Sequence, residues 1–303
     1  MTSRLKDFIR ERRIIDDLMN PEKRLIMVVG GSDTGKTTLV ESLAELFSRH
    51  TPTGIVDLDM GQSHIGPPTT VAWGKVEGGF DDWSKIAAED FYFTGSVSPL
   101  GNLLPAVVGA KLLVDRALSS CGKVIVDTTG LIAEPAGRVL KHFKLDMLSP
   151  DIVLALERGR ELTHILDPFR FFVHPRIHRI PAPTQVATKS TPRRSKYRFE
   201  KIRSYFQDTS IREVSLDRAG SRFAGAPWRS GMTGLRNRVV SFRDVLNRDI
   251  ALGIIEEVKI RRDMLLIRTP LPEGERFSCI VIGRAEIDTA ASELRDSTGK
   301  RNG

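Results

Sequence analysis

The chain has 303 residues, 40% of them hydrophobic, enough for one full α/β domain and a smaller appendage. No apolar run approaches bilayer length, the N-terminus lacks the apolar block of a secretory signal, and Cys121 and Cys279 offer neither a disulfide framework nor a zinc pattern. A cytoplasmic protein is expected, and its formal charge of +8, from 46 basic and 38 acidic residues, favours polyanionic partners.

In chain order, Leu5, Phe8, Ile9, Ile14, Ile15 and Leu18 recur at helical spacing, so residues 1–23 read as a helical extension. The apolar residues 25–29 form a strand that enters Gly30-Gly31-Ser32-Asp33-Thr34-Gly35-Lys36-Thr37-Thr38, after which Leu39, Val40, Leu43, Leu46 and Phe47 mark a helix face. This is G-x-x-x-x-G-K-[ST] between a strand and a helix, the context that motif demands. Its backbone amides curl around the β- and γ-phosphates of a nucleotide, Lys36 neutralises charge in transfer, and the Thr37 hydroxyl can ligate Mg²⁺.

Further strands are expected at residues 55–59, 91–94, 124–127 and 152–156, with helical patterns at 103–118 and 134–144 between them. That alternation predicts a mostly parallel, helix-flanked sheet with its chemistry at the strand C-terminal ends. The second strand ends in Asp57-Leu58-Asp59-Met60-Gly61-Gln62, where alternation would put Asp57 and Asp59 on one side. Two acids there would divide the work of orienting a hydroxyl acceptor and holding Mg²⁺, or both would serve the metal. Asp127-Thr128-Thr129-Gly130 adds an acid and two hydroxyls at the same sheet edge, in the position of a Walker B or switch element.

A proline-rich stretch, residues 168–192, is expected to carry a crossover strand at 171–180 and then leave the sheet. Basic residues follow: Lys189, Arg193, Arg194, Lys196, Arg198, Lys201 and Arg203, against the single acid Glu200. On a helix over 192–206, Arg194, Arg198, Lys201 and Tyr205 share a face while Ile202 and Phe206 dock on the body. Stacked like charges cost a few tenths of a kcal/mol per pair, which suggests an anion, a γ-phosphate or a nucleic-acid backbone, although a solvated basic face is the plainer alternative. Beside a P-loop, such a segment reads as an arginine-bearing lid that closes over the phosphates. From about residue 211 short strands and turns predict a small β-rich C-terminal domain, 209–288, before a fraying tail at 289–303.

The combination of the P-loop, Asp57-Leu58-Asp59-Met60-Gly61-Gln62, Gly95-Ser96-Val97-Ser98-Pro99, Asp127-Thr128-Thr129-Gly130 and the basic segment ending Ile202-Arg203-Ser204-Tyr205-Phe206 resembles the polynucleotide 5'-hydroxyl kinase family. That family includes the kinase component of the eukaryotic pre-mRNA cleavage machinery, the ribosomal-RNA-processing kinases and compact archaeal and bacterial relatives. The similarity spans roughly residues 24–287, with the kinase domain at 24–208. It implies an ATP- and Mg²⁺-dependent transfer to the 5'-hydroxyl of RNA or single-stranded DNA, with Asp59 as general base, Gln62 nearby and Asp57 secondary. It also implies a substrate clasp at Ser96, Ser98 and Pro99 and a lid at about 186–206. Arg194 and Arg198 would meet phosphate, with Thr128, Thr129, Lys189 and Arg193 toward the substrate. Two departures stand out. Leu131 occupies a position where many members carry Trp, and only 29 residues precede Gly30, whereas the eukaryotic cleavage-factor members carry a β-rich domain there.

Two other readings compete: a switch ATPase or GTPase whose nucleophile is water, and a nucleic-acid-binding module that keeps nucleotide only for assembly. Protein partners are left open. His174 and His178 are four apart, but Pro175 disfavours the helix that would align them on a metal. His64 reads as a loop residue, and Trp73, Trp83 and Trp228 as packing residues before base-stacking ones.

Overall fold

The computed structural model describes residues 12–183, 190–216, 219–224, 232–288 and 291–296. Its first sheet has the order β4-β3-β2-β5-β1-β6-β7. Strands β1 (Leu25–Gly30), β2 (Thr53–Asp57), β5 (Lys123–Asp127), β6 (Ile152–Glu157) and β7 (Arg176–Pro181) run parallel. β3 (Thr70–Val76) and β4 (Asp90–Phe93) add an antiparallel edge. Strand β1 is buried at every position because helices cover both faces of the sheet, which is why it reads as a continuous apolar run. Helices α1 (Arg12–Met19) and α2 (Lys36–Ser48) pack Ile14, Leu18, Leu39, Leu43 and Phe47 on one face. Helices α3 (Leu103–Ser120) and α4 (Ala136–Leu148) pack Leu113, Val114, Ala117, Leu145 and Leu148 on the other.

Helix α1 is tied down by polar contacts as well as by its apolar stripe. Asp17 accepts from Lys23 Nζ at 2.5 Å and pairs with Arg176 at 2.7 Å and His178 at 3.0 Å. Lys123 Nζ donates to the carbonyls of Leu18, Asn20 and Lys23, so a buried ammonium satisfies groups that the helix end leaves open. His178 is thereby an anchor between β7 and α1.

The crossover strand is shorter than the sequence suggests. Phe171, Phe172 and Val173 are exposed in the turn before β7, where His174 and Pro175 follow, and pairing with β6 begins only at Arg176. After a short helix, α5 (Thr163–Leu166), and the excursion beyond Pro181, helix α6 (Thr191–Tyr205) carries the basic segment. Its Ser190 cap accepts from the Arg193 amide, and Ile202 and Phe206 are buried.

The second sheet orders β14-β13-β10-β11-β12-β8, with β9 (Gly220–Phe223) parallel to β13. Its strands are β8 (Ser210–Ser215), β10 (Arg238–Arg243), β11 (Asp249–Lys259), β12 (Met264–Thr269), β13 (Cys279–Asp288) and β14 (Glu293–Asp296). Within the stretch expected to fray, Glu293–Asp296 instead pair with β13, and Leu294 is buried. A buried ion pair joins the two sheets. Asp249 accepts from Arg243 at 2.8 Å and from the Phe93 amide at 2.9 Å, and the Arg243 guanidinium lies 4.9 Å from the Tyr92 ring centroid. Gly95, at φ 74°, accepts from the Arg284 amide at 2.7 Å, and a Cβ on Gly283 would fall 2.8 Å from the Gly95 oxygen. Only glycine admits so close a backbone crossing. Among the described residues, no helix is long and apolar enough to cross a membrane.

Candidate active site

The loop after β1 is built for close approach. A Cβ on Gly30 would sit 2.6 Å from the Leu156 oxygen, and Gly35, at φ 91°, caps α2 so that the helix N-terminus faces the cavity. Thr34 Oγ1 donates to the Gly31 oxygen at 3.0 Å, and Lys36 Nζ donates to the same oxygen at 2.5 Å. Burial lowers the Lys36 pKa, against the opposing pull of Asp127, Asp59, Asp33 and Glu161. The cavity over this loop, about 340 Å³, is lined by Ser32 to Thr38 together with Asp59, Gln62, Asp127, Thr128, Gly130 and Arg194.

The two acids after β2 occupy different environments. Strand β2 ends at Asp57, so strict alternation does not extend to Asp59. Asp57 is 1% exposed and is consumed by its own loop. Its Oδ1 accepts from the Asp59 amide at 3.0 Å, and its Oδ2 accepts from the His64 amide at 2.6 Å and the Ile65 amide at 3.2 Å. Burial raises its pKa, with those amides and His64 opposing. Asp59 lines the cavity. Its Oδ1 accepts from the Gly61 and Gln62 amides at 3.1 and 3.0 Å, while its Oδ2 has no hydrogen bond among the described residues. Asp57 therefore shapes the turn, and Asp59 presents a carboxylate to the cavity.

At the end of β5, Asp127 is 4% exposed, its Oδ1 has no partner among the described residues, and its pKa is pushed up to about 7 by burial and by Asp57, with Lys36 opposing. Thr128 Oγ1 donates to the Val28 oxygen at 2.8 Å and accepts from Lys141 Nζ at 2.9 Å. Lys141, whose pKa burial lowers well below the ordinary lysine value, also donates to the Thr129 oxygen at 2.6 Å, so a buried lysine nitrogen fixes the turn from behind. Thr129 Oγ1 is buried without a described partner. Lys141 was not among the residues singled out in the sequence. Its only signal was a lysine on the inward face of a helical pattern.

On α6, Arg194 reaches the P-loop, pairing with Asp33 Oδ2 at 2.8 Å. Arg198 does not line the phosphate cavity. It is half-buried toward Asp296 and Glu293 of β14, burial lowers its pKa, and its Nε has no described partner. Tyr197 Oη donates to the Ser63 oxygen and Lys201 Nζ to the His64 oxygen, each at 2.9 Å. The basic face thus turns inward onto the body. Arg193 is exposed, and Lys189 lies outside the described residues, as does Trp228.

The segment read as a clasp meets the Asp59 loop through its backbone, since a Cβ on Gly61 would fall 2.6 Å from the Val97 oxygen. Its hydroxyls are engaged elsewhere. Ser96 Oγ donates to Asp296 Oδ2 at 2.7 Å, the Val97 amide donates to Asp296 Oδ1 at 3.0 Å, and Ser98 Oγ accepts from the Leu100 amide at 3.2 Å. Ser96, Ser98 and Pro99 do not line the phosphate cavity. Leu131 packs beside a small cluster of Met60, Ala106 and Leu140.

Residues 30–208 match the model of the P-loop family of the mRNA cleavage and polyadenylation factor CLP1. The chain belongs to this family. Among curated relatives, a polyribonucleotide 5'-hydroxyl-kinase of Methanocaldococcus jannaschii is 37% identical over 204 residues, 67% of this chain and 55% of that protein. One from Pyrococcus abyssi is 35% identical over 204 residues, 67% of this chain and 56% of that protein. The chain therefore spans little more than half the length of these relatives. A solved Clp1p–Pcf11p complex superposes with a TM-score of 0.71 over 93% of this chain and 79% of that one, at 14% identity, which establishes the shared fold.

Proposed function

We propose that the chain is an ATP-dependent polynucleotide 5'-hydroxyl kinase acting on RNA and/or DNA, a reading supported by archaeal relatives that are named polyribonucleotide 5'-hydroxyl-kinases. One observation carries the reading. Asp59 holds one carboxylate oxygen on two backbone amides and leaves the other open in the cavity that contains Lys36 and Arg194. A carboxylate so fixed is suited to orient a hydroxyl and take its proton as the oxygen attacks phosphorus in line. Lys36, the amides of the loop and the N-terminus of α2 would stabilise charge on the phosphates, and Arg194 would do so after leaving Asp33.

The donor set also fits Mg²⁺. The Thr37 hydroxyl and the unpartnered Asp127 Oδ1 lie around one cavity, while Asp57, with both oxygens spent on amides, and Asp59, whose one open oxygen is assigned to the acceptor hydroxyl, do not belong to the set. Among the described residues no cluster of three or more His, Cys, Asp or Glu forms a preformed cage. When bound, the ion supplies positive charge to the phosphate oxygens.

The test is incubation with γ-labelled ATP and oligonucleotides bearing 5'-hydroxyl or 5'-phosphate ends. Label confined to the 5'-hydroxyl strands is expected. Free phosphate without labelled strand would replace the kinase by a switch ATPase.

A further inference from the structure

A second cavity, about 670 Å³, opens beside the phosphate site and shares His64 and Trp83 with it. Its body wall is Trp83, His64 and Phe91, and its other wall is the α6 side chains Tyr197, Lys201 and Tyr205. The indole is fixed before any ligand arrives. Its Nε1 donates to Glu41 Oε1 at 2.7 Å, and the Phe80 ring packs on it edge-to-face at 5.3 Å. The His64 ring lies 4.7 Å from it at a 33° tilt, so imidazole and indole are stacked on each other as one aromatic pair at the edge of the groove. The facing wall hangs from the same loop, because Tyr197 and Lys201 bond the Ser63 and His64 carbonyls.

Resting on the kinase reading, we propose that this groove is a nucleobase-stacking subsite for the acceptor strand. A flat, apolar-faced ring with one polar edge matches aromatic walls better than a phosphate does, and the wall donors are already engaged. The groove departs from the cavity at the loop that carries Asp59, Gln62 and His64, so a base seated there is continuous with a 5'-hydroxyl at Asp59. With Trp Nε1, the Tyr197 hydroxyl and the Lys201 ammonium all committed to protein acceptors, the subsite would accept different bases with little preference. Since α6 forms one wall and also carries Arg194, occupying the groove and seating the phosphate-facing arginine would favour the same position of the helix.

The experiment uses the whole chain, with KM measured separately for ATP and for 5'-hydroxyl oligonucleotides. These are intact or abasic at each of the first three positions. Trp83→Ala is expected to raise the acceptor KM roughly 5- to 150-fold, the range of one lost base stack, with the ATP KM unchanged and with Trp83→Phe restoring most of the affinity. One abasic position should carry a matching penalty in the wild type and none in Trp83→Ala. Unchanged acceptor KM in a folded Trp83→Ala, or a rise confined to ATP, would overturn the assignment, the latter by identifying the base as the donor's adenine. His64→Ala supplies a second probe of the aromatic pair should Trp83→Ala melt early. Fluorescence titration separates this inference from the kinase reading, because quenching by an oligonucleotide that is lost in Trp83→Phe needs no phosphate transfer.

Discussion

The floor and the roof of the cavity are held by different kinds of contact. In the floor, the loop after β1 and the turn after β2 bond to themselves: Thr34 and Lys36 to Gly31, Asp57 to three amides, and Asp59 to two. Arg194 on Asp33, Tyr197 on Ser63 and Lys201 on His64 tie the α6 roof to that floor, while Ile202 and Phe206 root its far end in the body. A group bonded within its own loop keeps its geometry whether or not a ligand is present. A group bonded to a carboxylate or carbonyl across a gap is exchangeable for one bonded to phosphate. Preorganisation therefore resides in the floor, and adjustment in the roof.

Lys36→Ala should break the floor most completely, lowering kcat by about a thousandfold or more in the labelled-transfer assay. Asp59→Asn keeps an oxygen for the two amides and removes the base, so a loss of about a hundred- to ten-thousandfold in kcat is expected with little change in melting temperature. Asp57→Asn sharpens the contrast, since it should lower stability by about 1–3 kcal/mol in a denaturant melt. If instead Asp57→Asn stayed fully stable and Asp59→Asn unfolded, the roles given to the two acids would be reversed. In the roof, Arg194→Ala should cost about ten- to a thousandfold in kcat without a matching loss of stability.

The last expected effect is a gain in stability. Lys144 on α4 is fully buried, its Nζ has no described partner, and burial lowers its pKa to about 8. The folded state thus disfavours the ammonium, a penalty fully present below pH 8 that fades as pH rises toward the ordinary lysine value near 10.5. Lys144→Met should stabilise the protein by up to about 3 kcal/mol at pH 7, with the gain shrinking above pH 8. Melts across that range would check both the sign and the window.

The P-loop was legible because its spacing, its preceding strand and its following helix all lie within a few residues. The parallel core was legible because strands buried on both faces must read as apolar runs. The division between Asp57 and Asp59 was not, since it depends on the strand ending at Asp57 and on amides at His64 and Ile65. The inward turn of Arg194, Arg198 and Lys201 was half legible: helical spacing gathers them with Tyr205 on one face, but only tertiary packing decides whether that face meets solvent or protein, and Tyr197 was not read from the sequence at all. Trp83 joins His64 through a turn and an antiparallel strand that no local pattern connects to the P-loop. The tie of Ser96 to the second sheet could not be read, because its Asp296 acceptor lies 200 positions away, whereas the Ser98 hydroxyl is engaged locally by the Leu100 amide.

That long-range bond gives the loop beside Asp59 a condition of assembly. Asp296 holds Ser96 and the Val97 amide from the β14 edge of the second sheet. During synthesis the P-loop can close once the first sheet has emerged, but the neighbouring loop gains its fastening only after nearly the whole described chain has left the ribosome. A chain clipped before β14 would keep the bonds that the loop after β1 makes to itself and lose the fastening of Ser96 and the Val97 amide.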